Sequence, residues 1–568
     1  MSTHARPLAD WLAAASDAEL DALFGARGVR ADVGWQDFFD AAESLLEAAS
    51  LSRVLPTLTR DEASALARAA QGGDPGALRE PLIGLGLLRP DGQLPEPVAA
   101  AVRERPAVDV AQPGRPNDAD EASTARAAEH AFTTVGMIAD LILATKDRPR
   151  ALIADGSLSA VERKDLAEHG VPADAVDSLV DLAALAGLLT PVGRQLYATT
   201  SADGWLRSSV AERWEALVEG FRAGLPRGIR TDAGGWTDSS LWRGAYPWDP
   251  DWSERSAGLE AKARLLGLRA DDGSEPEWAH AVREGGRIGP EALIAHLPAE
   301  VDRLFLQNDL TAIAPGPLAS AVDVRLRTVA ERESAAQAST YRFTPESVAK
   351  AFAIGETVAS LSEFLESISL TGVPQPLSYL IEQTGARHGM VRVLTDAEPG
   401  RTRIESSDPA LLQMMAVDQT LRPLGLSVRD GHLTTNAARD AAYWALTDAR
   451  YPASLVDADG RIASGGRHPA VAPPRVEPAD YSALVSRLRE GSAGADADAA
   501  WLGRELEAAV RAKAVLRVAV GMPDGSTREL LLEVTGLGGG RLRGRDRAAD
   551  VERTLPVSSI RSAAIEPS

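Results

Sequence analysis

The sequence predicts a multidomain protein that is mainly α-helical, built of winged-helix-like modules, with one α/β module and a small SH3-like β-barrel at its C-terminus. Three observations carry that expectation. Capped segments with apolar residues at helical spacing fill most of the first half. Between Thr340 and Val393 three short helices, each closed by a stop signal, run into a strand. After Arg511 the apolar period changes from helical to alternating. A chain of 568 residues suits about three to five domains. The boundaries read as a helical, winged-helix-like domain at 1–107, a helical middle region with a Trp-rich loop at 125–300, an α/β module at 301–462, a linker at 463–498 and a barrel at 499–568.

The N-terminal part opens with Ser16 and Glu19 in capping-box spacing, followed by Leu20, Leu23 and Phe24 on one face. Thr59 and Glu62 repeat the box ahead of Ala63, Leu66, Ala67 and Ala70. The Asp61-Glu62-Ala63-Ser64 string is superficially like a helicase acidic box, but it follows an N-cap and not a hydrophobic strand, so it reads as a helix start.

A pattern then recurs: a leucine-glycine-leucine helix end, a few residues, and an X-Gly turn. It stands at Leu85-Gly86-Leu87-Leu88 with Asp91-Gly92, at Gly187-Leu188-Leu189 with Val192-Gly193, at Leu266-Gly267-Leu268 with Asp272-Gly273, and at Leu424-Gly425-Leu426 with Asp430-Gly431. Asp-Gly suits the positive φ angles of a tight hairpin. A helix leading into a small hairpin is how winged-helix domains end, and the first three copies fit that reading. The segment Gly170 to Ala186, where a recognition helix would lie, holds Asp174, Asp177 and Asp181 and no basic residue. Phosphate contacts need cations, so a structural or docking role is favoured for it.

Val110 to Thr124 and Ala463 to Asp480 read as linkers, being polar or rich in Pro and Gly, and Glu490 to Asp498 is small and polar. Seven of the eleven tryptophans lie between Trp205 and Trp278. Trp236, Trp242, Trp248 and Trp252 sit in a Gly-, Pro- and Asp-rich loop. They could stack on bases, but pinning the loop to a helical core is the preferred reading.

In the α/β module Thr344 is an N-cap and Pro345 the first helical residue. Val348, Ala351 and Phe352 share a face, and Gly355 ends the helix. Val358, Leu361, Phe364, Leu365 and Ile368 form a second stripe, stopped by Gly372 and Pro374. A third helix runs from about Pro376 to His388, and Met390 to Leu394 is a strand. Thr435 to Arg450 reads as a helix and Ser454 to Val456 as a strand. Phe343, Phe352, Phe364 and Leu365 are expected in the core.

At the C-terminus Val515 to Gly521 and Arg528 to Thr535 alternate around Asp524-Gly525. Gly538 to Gly540 open a hairpin, and Val551 to Leu555 and Ile560 to Ile565 complete about five strands, the size of a small SH3-like barrel.

Composition limits function. The formal net charge is −21, which opposes nucleic-acid binding unless positive charge is clustered. Ten basic and six acidic residues lie between Arg511 and Arg561. Arg541, Arg543, Arg545 and Arg547 alternate, which in a strand places them on one face. This stripe, with Arg517, is the candidate nucleic-acid surface; Arg325, Arg327 and Arg342 are the second choice. A solvated strand face is the plain alternative. The chain has no cysteine, which excludes disulfides, thiolate zinc sites and a Cys nucleophile. Its eight histidines are dispersed and no Gly-x-Ser-x-Gly elbow occurs, so no metal, cofactor or catalytic constellation is expected. A P-loop needs Gly-Lys-Ser/Thr. None of the five lysines, Lys146, Lys164, Lys262, Lys350 and Lys513, follows glycine or precedes Ser or Thr. No signal peptide or membrane-spanning run stands out, so a cytoplasmic location is expected.

The string from Thr340 to Val393 resembles the N-terminal domain of XPB-type helicases. The similar elements are Tyr341-Arg342-Phe343-Thr344, the Ser-Val-x-x-Ala-x-x-x-Gly helix, the Glu-Phe-Leu helix, the Leu-Thr-Gly-Val-Pro stop and the His-Gly-x-Val-Arg-Val strand. The resemblance begins near Leu304-Phe305-Leu306-Gln307 and fades around Gly460. With Trp205 and Trp214, the whole chain resembles actinobacterial helicase-associated proteins. The last strands are similar to the barrel of WYL domains, without the Trp-Tyr-Leu string. These resemblances imply a motorless accessory protein for DNA processing or repair. It would bind DNA, single-stranded or at junctions, an XPB-type helicase, or both. The rivals are a WYL-type, ligand-responsive transcriptional regulator, and a helicase by domain name that lacks its own ATPase site.

Overall fold

The computed structural model describes residues 5–108, 117–335, 339–457, 468, 470–473, 479–492, 495–522 and 525–565. About half of the chain is helical and several small sheets are interspersed. Buried apolar residues separate into five clusters strung along the sequence.

The first cluster is helical. Helix Asp17–Ala26 starts on the Ser16–Glu19 capping box and buries Leu20, Leu23 and Phe24. Helix Arg60–Ala70 starts on the Thr59–Glu62 box, so Asp61-Glu62 opens a helix as expected. Trp248 from the middle region, helix Ser482–Gly491 and Trp501 complete this core. The expected linker at 463–498 therefore contains a docked helix. Its Leu484, Val485 and Leu488 are at helical spacing, but the Gly- and Pro-rich sequence around them conceals the pattern.

The middle cluster is built on the long helix Glu121–Asp147. A short strand Arg150–Ala151, helices Ala160–Glu168 and Val176–Leu185, and the hairpin Leu189–Val192/Gln195–Ala198 follow. The first strand pairs with the hairpin's second strand, Gln195–Ala198, which is thus the centre of a three-stranded antiparallel sheet. By length and composition helix Glu121–Asp147 would suffice to cross a membrane, against the expectation of no such run, and 56% of its most apolar window is buried inside the protein. Its Ala127, Ala131, Val135, Ile138 and Ile142 line the middle core. Trp236, Trp242 and Trp252 are buried there too, and Trp248 in the first core, so the loop is pinned as expected.

The recurring leucine-glycine-leucine elements do not all become hairpins. Val192-Gly193 and Asp430-Gly431 each turn a two-stranded ladder. Asp430 and Gly431 take φ values of 42° and 79°, as a two-residue hairpin loop requires. The copies at 85–92 and 266–273 form only single turns, closed by Arg89 N–H to Gln93 O and by Ala270 N–H to Ser274 O. The turn chemistry is present, but the flanks lack the alternating apolar residues a ladder would bury.

The α/β module has two cores. In one, a four-stranded antiparallel sheet packs with helices Pro345–Ala353, Val358–Ile368 and Gln375–Arg387. Thr344 and Thr357 cap the first two through reciprocal bonds with Ser347 and Ser360. Phe343, Phe352, Phe364 and Leu365 all lie in this core. The other is a five-stranded sheet in the order Ser427–Arg429, His432–Thr435, Thr402–Ser406, Val391–Thr395, Ala453–Leu455, of which only the last pair is parallel. Its core holds Val391, Val393, Ile404, Leu433 and Leu446.

The C-terminal strands stand where alternation placed them: Val515–Gly521, Thr527–Gly538, Arg541–Asp546, Val551–Pro556 and Ile560–Ile565. The last pairs with the first. Among the described residues no ladder joins Val551–Pro556 to Ile560–Ile565, so the expected barrel is an open sheet. The physical reason is helix Ala495–Ala512. Its Leu502, Leu506 and Ala509 cover Leu516, Val518, Leu532 and Leu542, burying the face that closure would otherwise bury. The same helix sends Trp501 into the N-terminal core.

Candidate nucleic-acid interface

The hairpin that carries the arginines turns at Gly539-Gly540, with φ values of 59° and 71° that side chains rarely adopt. From it Arg541–Asp546 runs back with strict alternation. Leu542 and Gly544 are buried toward the helix, while Arg541, Arg543 and Arg545 are exposed on the opposite face. Arg547 lies just past the strand, exposed, with its backbone N–H donating to Leu531 O.

Register separates the four. Arg541 stands between Gly538 and Pro556, and Arg543 between Gly536 and Thr554. Both are flanked by small or uncharged groups, and neither has an ion-pair partner among the described residues. Arg545 stands between Glu533 and Glu552 and pairs with Asp550 at 2.6 Å. Asp546, on the buried face, accepts from Arg553 Nε at 2.6 Å, which holds its carboxyl below the usual carboxylate range. Arg517 is two strands away, 3.8 Å from Glu529. Among the described residues, the unpaired charge of the stripe thus contracts to Arg541, Arg543 and Arg547. A bulge between Val534 and Gly536 sharpens the twist beside Arg543.

Arg325, Arg327 and Arg342 are not free cations. Arg325 donates to both carboxylate oxygens of Glu356 at 2.8 and 3.0 Å and stacks 4.3 Å from the centre of the Phe364 ring. That hydrogen-bonded pairing holds Glu356 below its ordinary value. Arg327 lies 2.6 Å from Asp140 and is largely buried. Arg342 is paired with Glu333. In sequence, arginine next to an apolar helix face reads as surface charge; burial makes it structural instead.

The acidic helix Val176–Leu185 is engaged internally as well. Asp177 pairs with Arg163 at 2.7 Å and Asp181 with Lys262 at 2.7 Å.

Residues 304–430, which span the four-stranded sheet, its three helices and most of the next sheet, match the model of the helicase conserved C-terminal domain. The match covers less than a quarter of the chain and ties it to helicase-related, nucleic-acid-linked function. It falls on the segment whose motifs resemble the N-terminal domain of XPB-type helicases. No curated protein matches the chain.

Proposed function

We propose that this chain is a motorless, helicase-associated accessory protein of DNA processing or repair, acting in the cytoplasm and binding DNA, an XPB-type helicase, or both. The observation that carries this reading is a helicase-domain match at 304–430 in a chain with no lysine placed for a P-loop. The matched segment gives further support. Doubly wound nucleotide-binding folds hold their ligand at the carboxyl ends of parallel strands. Here both sheets of the module are antiparallel except for the pairing of Ala453–Leu455 with Val391–Thr395.

In this reading the helix-rich middle region, with its winged-helix-like order of elements and its internally paired acids, docks against protein and not against phosphate. Direct contact with DNA falls to the exposed face bearing Arg541, Arg543 and Arg547. Arginine pairs with phosphate bidentately, and an exposed sheet face can track a single strand.

The test is a salt titration of affinity for a single-stranded oligonucleotide. Binding that weakens steeply with salt in the wild-type chain, and less steeply in the Arg541→Gln/Arg543→Gln variant, supports the reading. Equal slopes place the contact elsewhere. No affinity in either protein leaves helicase docking as the function.

A further inference from the structure

The exposed face of the C-terminal sheet has two ends of unlike charge. At one end Arg545 stands between Glu533 and Glu552 and pairs with Asp550. At the other, beside the Gly539-Gly540 turn, the cross-strand neighbours of Arg541 and Arg543 are Gly538, Pro556, Gly536 and Thr554, with no carboxylate among them. Two positions apart on one strand, these arginines stand about 6.8 Å from each other along the backbone. That is close to the separation of neighbouring phosphates in a nucleic-acid strand. The turn end therefore suits two successive phosphates, and the acids at the other end confine them there.

The face offers nothing comparable to a base. From Leu502 to Ser568 the sequence holds no Phe, Tyr, Trp or His. Trp501, just before, is buried in the N-terminal core, and helix Ala495–Ala512 covers the opposite face of the sheet. Proteins that hold the bases of a single strand stack them on aromatic rings, and no strand of this sheet carries one.

The floor beside the arginines is bare backbone. Gly538 and Gly536 lie next to Arg541 and Arg543 in the ladder and point to the same exposed face. Neither takes a left-handed φ, and a Cβ at either would meet nothing within 4 Å. Glycine weakens a strand. Neither backbone conformation nor packing within the chain calls for it at these two positions. Glycine in a strand also lets a second backbone approach closely.

From these observations we infer that the turn end of this face, where we place the DNA contact on which the inference rests, holds the sugar-phosphate backbone alone. Two phosphates lie on Arg541 and Arg543, the sugars pass over Gly536 and Gly538, and the bases face solvent. Binding is then indifferent to base identity, and even to the presence of bases, and the held strand stays free to pair.

The experiment measures the affinity of the full chain, at low salt, for an oligothymidylate and for an abasic strand of the same length. Wild type is compared with Arg541→Gln/Arg543→Gln and with Gly536→Val, and melting curves check each fold. The expected result is affinities for the two strands within about twofold of each other, both weakened about tenfold in each variant with unchanged melting. A wild type that binds the thymidylate but holds the abasic strand about tenfold more weakly overturns the inference and leaves the DNA contact standing. Wild-type affinity in a folded Gly536→Val overturns it as well; Gly538→Val repeats that arm if Gly536→Val melts early. No affinity of the wild type for either strand removes the DNA contact itself, and the inference with it.

Discussion

Arg227 grips Glu62 across the boundary between the N-terminal and middle cores, with Nη2 2.7 Å from Oε2 and Nη1 on the other oxygen. Glu62 also accepts from Thr59 N–H at 2.9 Å, closing its capping box. One carboxylate thus starts a helix and ties two cores together. Glu62 is buried, while Arg227 is half exposed. Removing a partner strands the buried carboxylate. Arg227→Ala is expected to lower stability by about 1–3 kcal/mol in a denaturant titration. Asp61→Asn, at an exposed position, should change it by less than about 0.5 kcal/mol. An equal effect of both would remove the Arg227–Glu62 pair from what holds the two cores together.

Phe364 occupies the core between helices Val358–Ile368 and Gln375–Arg387, with the Arg325 guanidinium over its ring. Phe364→Ala should cost about 3–5 kcal/mol, since burial is forfeited and a cavity is left. Phe364→Leu keeps most of the volume and should cost less. A melting curve unmoved by the alanine variant would remove Phe364 from the core.

Much of this was legible because it is local. Thr344-Pro345, Gly355 and Asp430-Gly431 act through φ preferences and caps that need only near neighbours, and the elements fall where they point. The C-terminal strands were readable from Leu516, Val518 and Val520 at period two. What escaped was long-range. Trp501 and Leu502 are adjacent yet enter different cores, and no periodicity tells which partner each face finds. The open sheet follows from the same helix. Arg327 and Arg541 look alike in sequence, and only Asp140, far away in the chain, distinguishes a buried pair from a free cation.

Glu505 supplies a pH-dependent prediction. It is buried where helix Ala495–Ala512 meets helix Arg6–Ala14, with Arg6 3.6 Å away. Burial pushes its carboxyl up to about 7, with Asp10 adding to the shift and Arg6 opposing it. Between the ordinary value of 4.5 and about 7, the folded chain keeps a proton that the unfolded chain has released. Stability therefore falls as pH rises through that window and levels off above it. The loss is on the order of 3 kcal/mol at full expression. Glu505→Gln should abolish it, raising stability at pH 8 and leaving pH 4 nearly unchanged. Parallel stability profiles for wild type and variant from pH 4 to 8 would sink the idea.

The isolated chain is expected to release no phosphate from ATP and to unwind no duplex, with or without DNA. Lys350, the one lysine in the helicase-matched segment, pairs with Asp147 on another core and follows alanine, not glycine. A steady-state phosphate-release assay on protein purified by two unrelated routes checks this. DNA-stimulated turnover that tracks the protein through both would overturn the motorless reading.

The arginine face yields a graded prediction, because register separates residues that the sequence treats alike. Arg545 is flanked by Glu533 and Glu552 and paired with Asp550, so it has little charge to offer a phosphate. Arg541 and Arg543 stand beside glycine, proline and threonine on an open face. Abolishing one arginine–phosphate pairing with a single strand lowers the slope of log affinity against log salt by about 0.7. Arg541→Gln and Arg543→Gln should each flatten the slope by about that amount, and the double variant by about twice as much. Arg545→Gln should leave both slope and affinity near wild type, since breaking an exposed ion pair costs at most about 1 kcal/mol and takes nothing from the DNA. Measuring all three singles in one salt series distinguishes a surface that leaves Arg545 out from a uniform basic stripe. Equal effects from all three would mean that DNA displaces Asp550, and that the face works as a stripe after all.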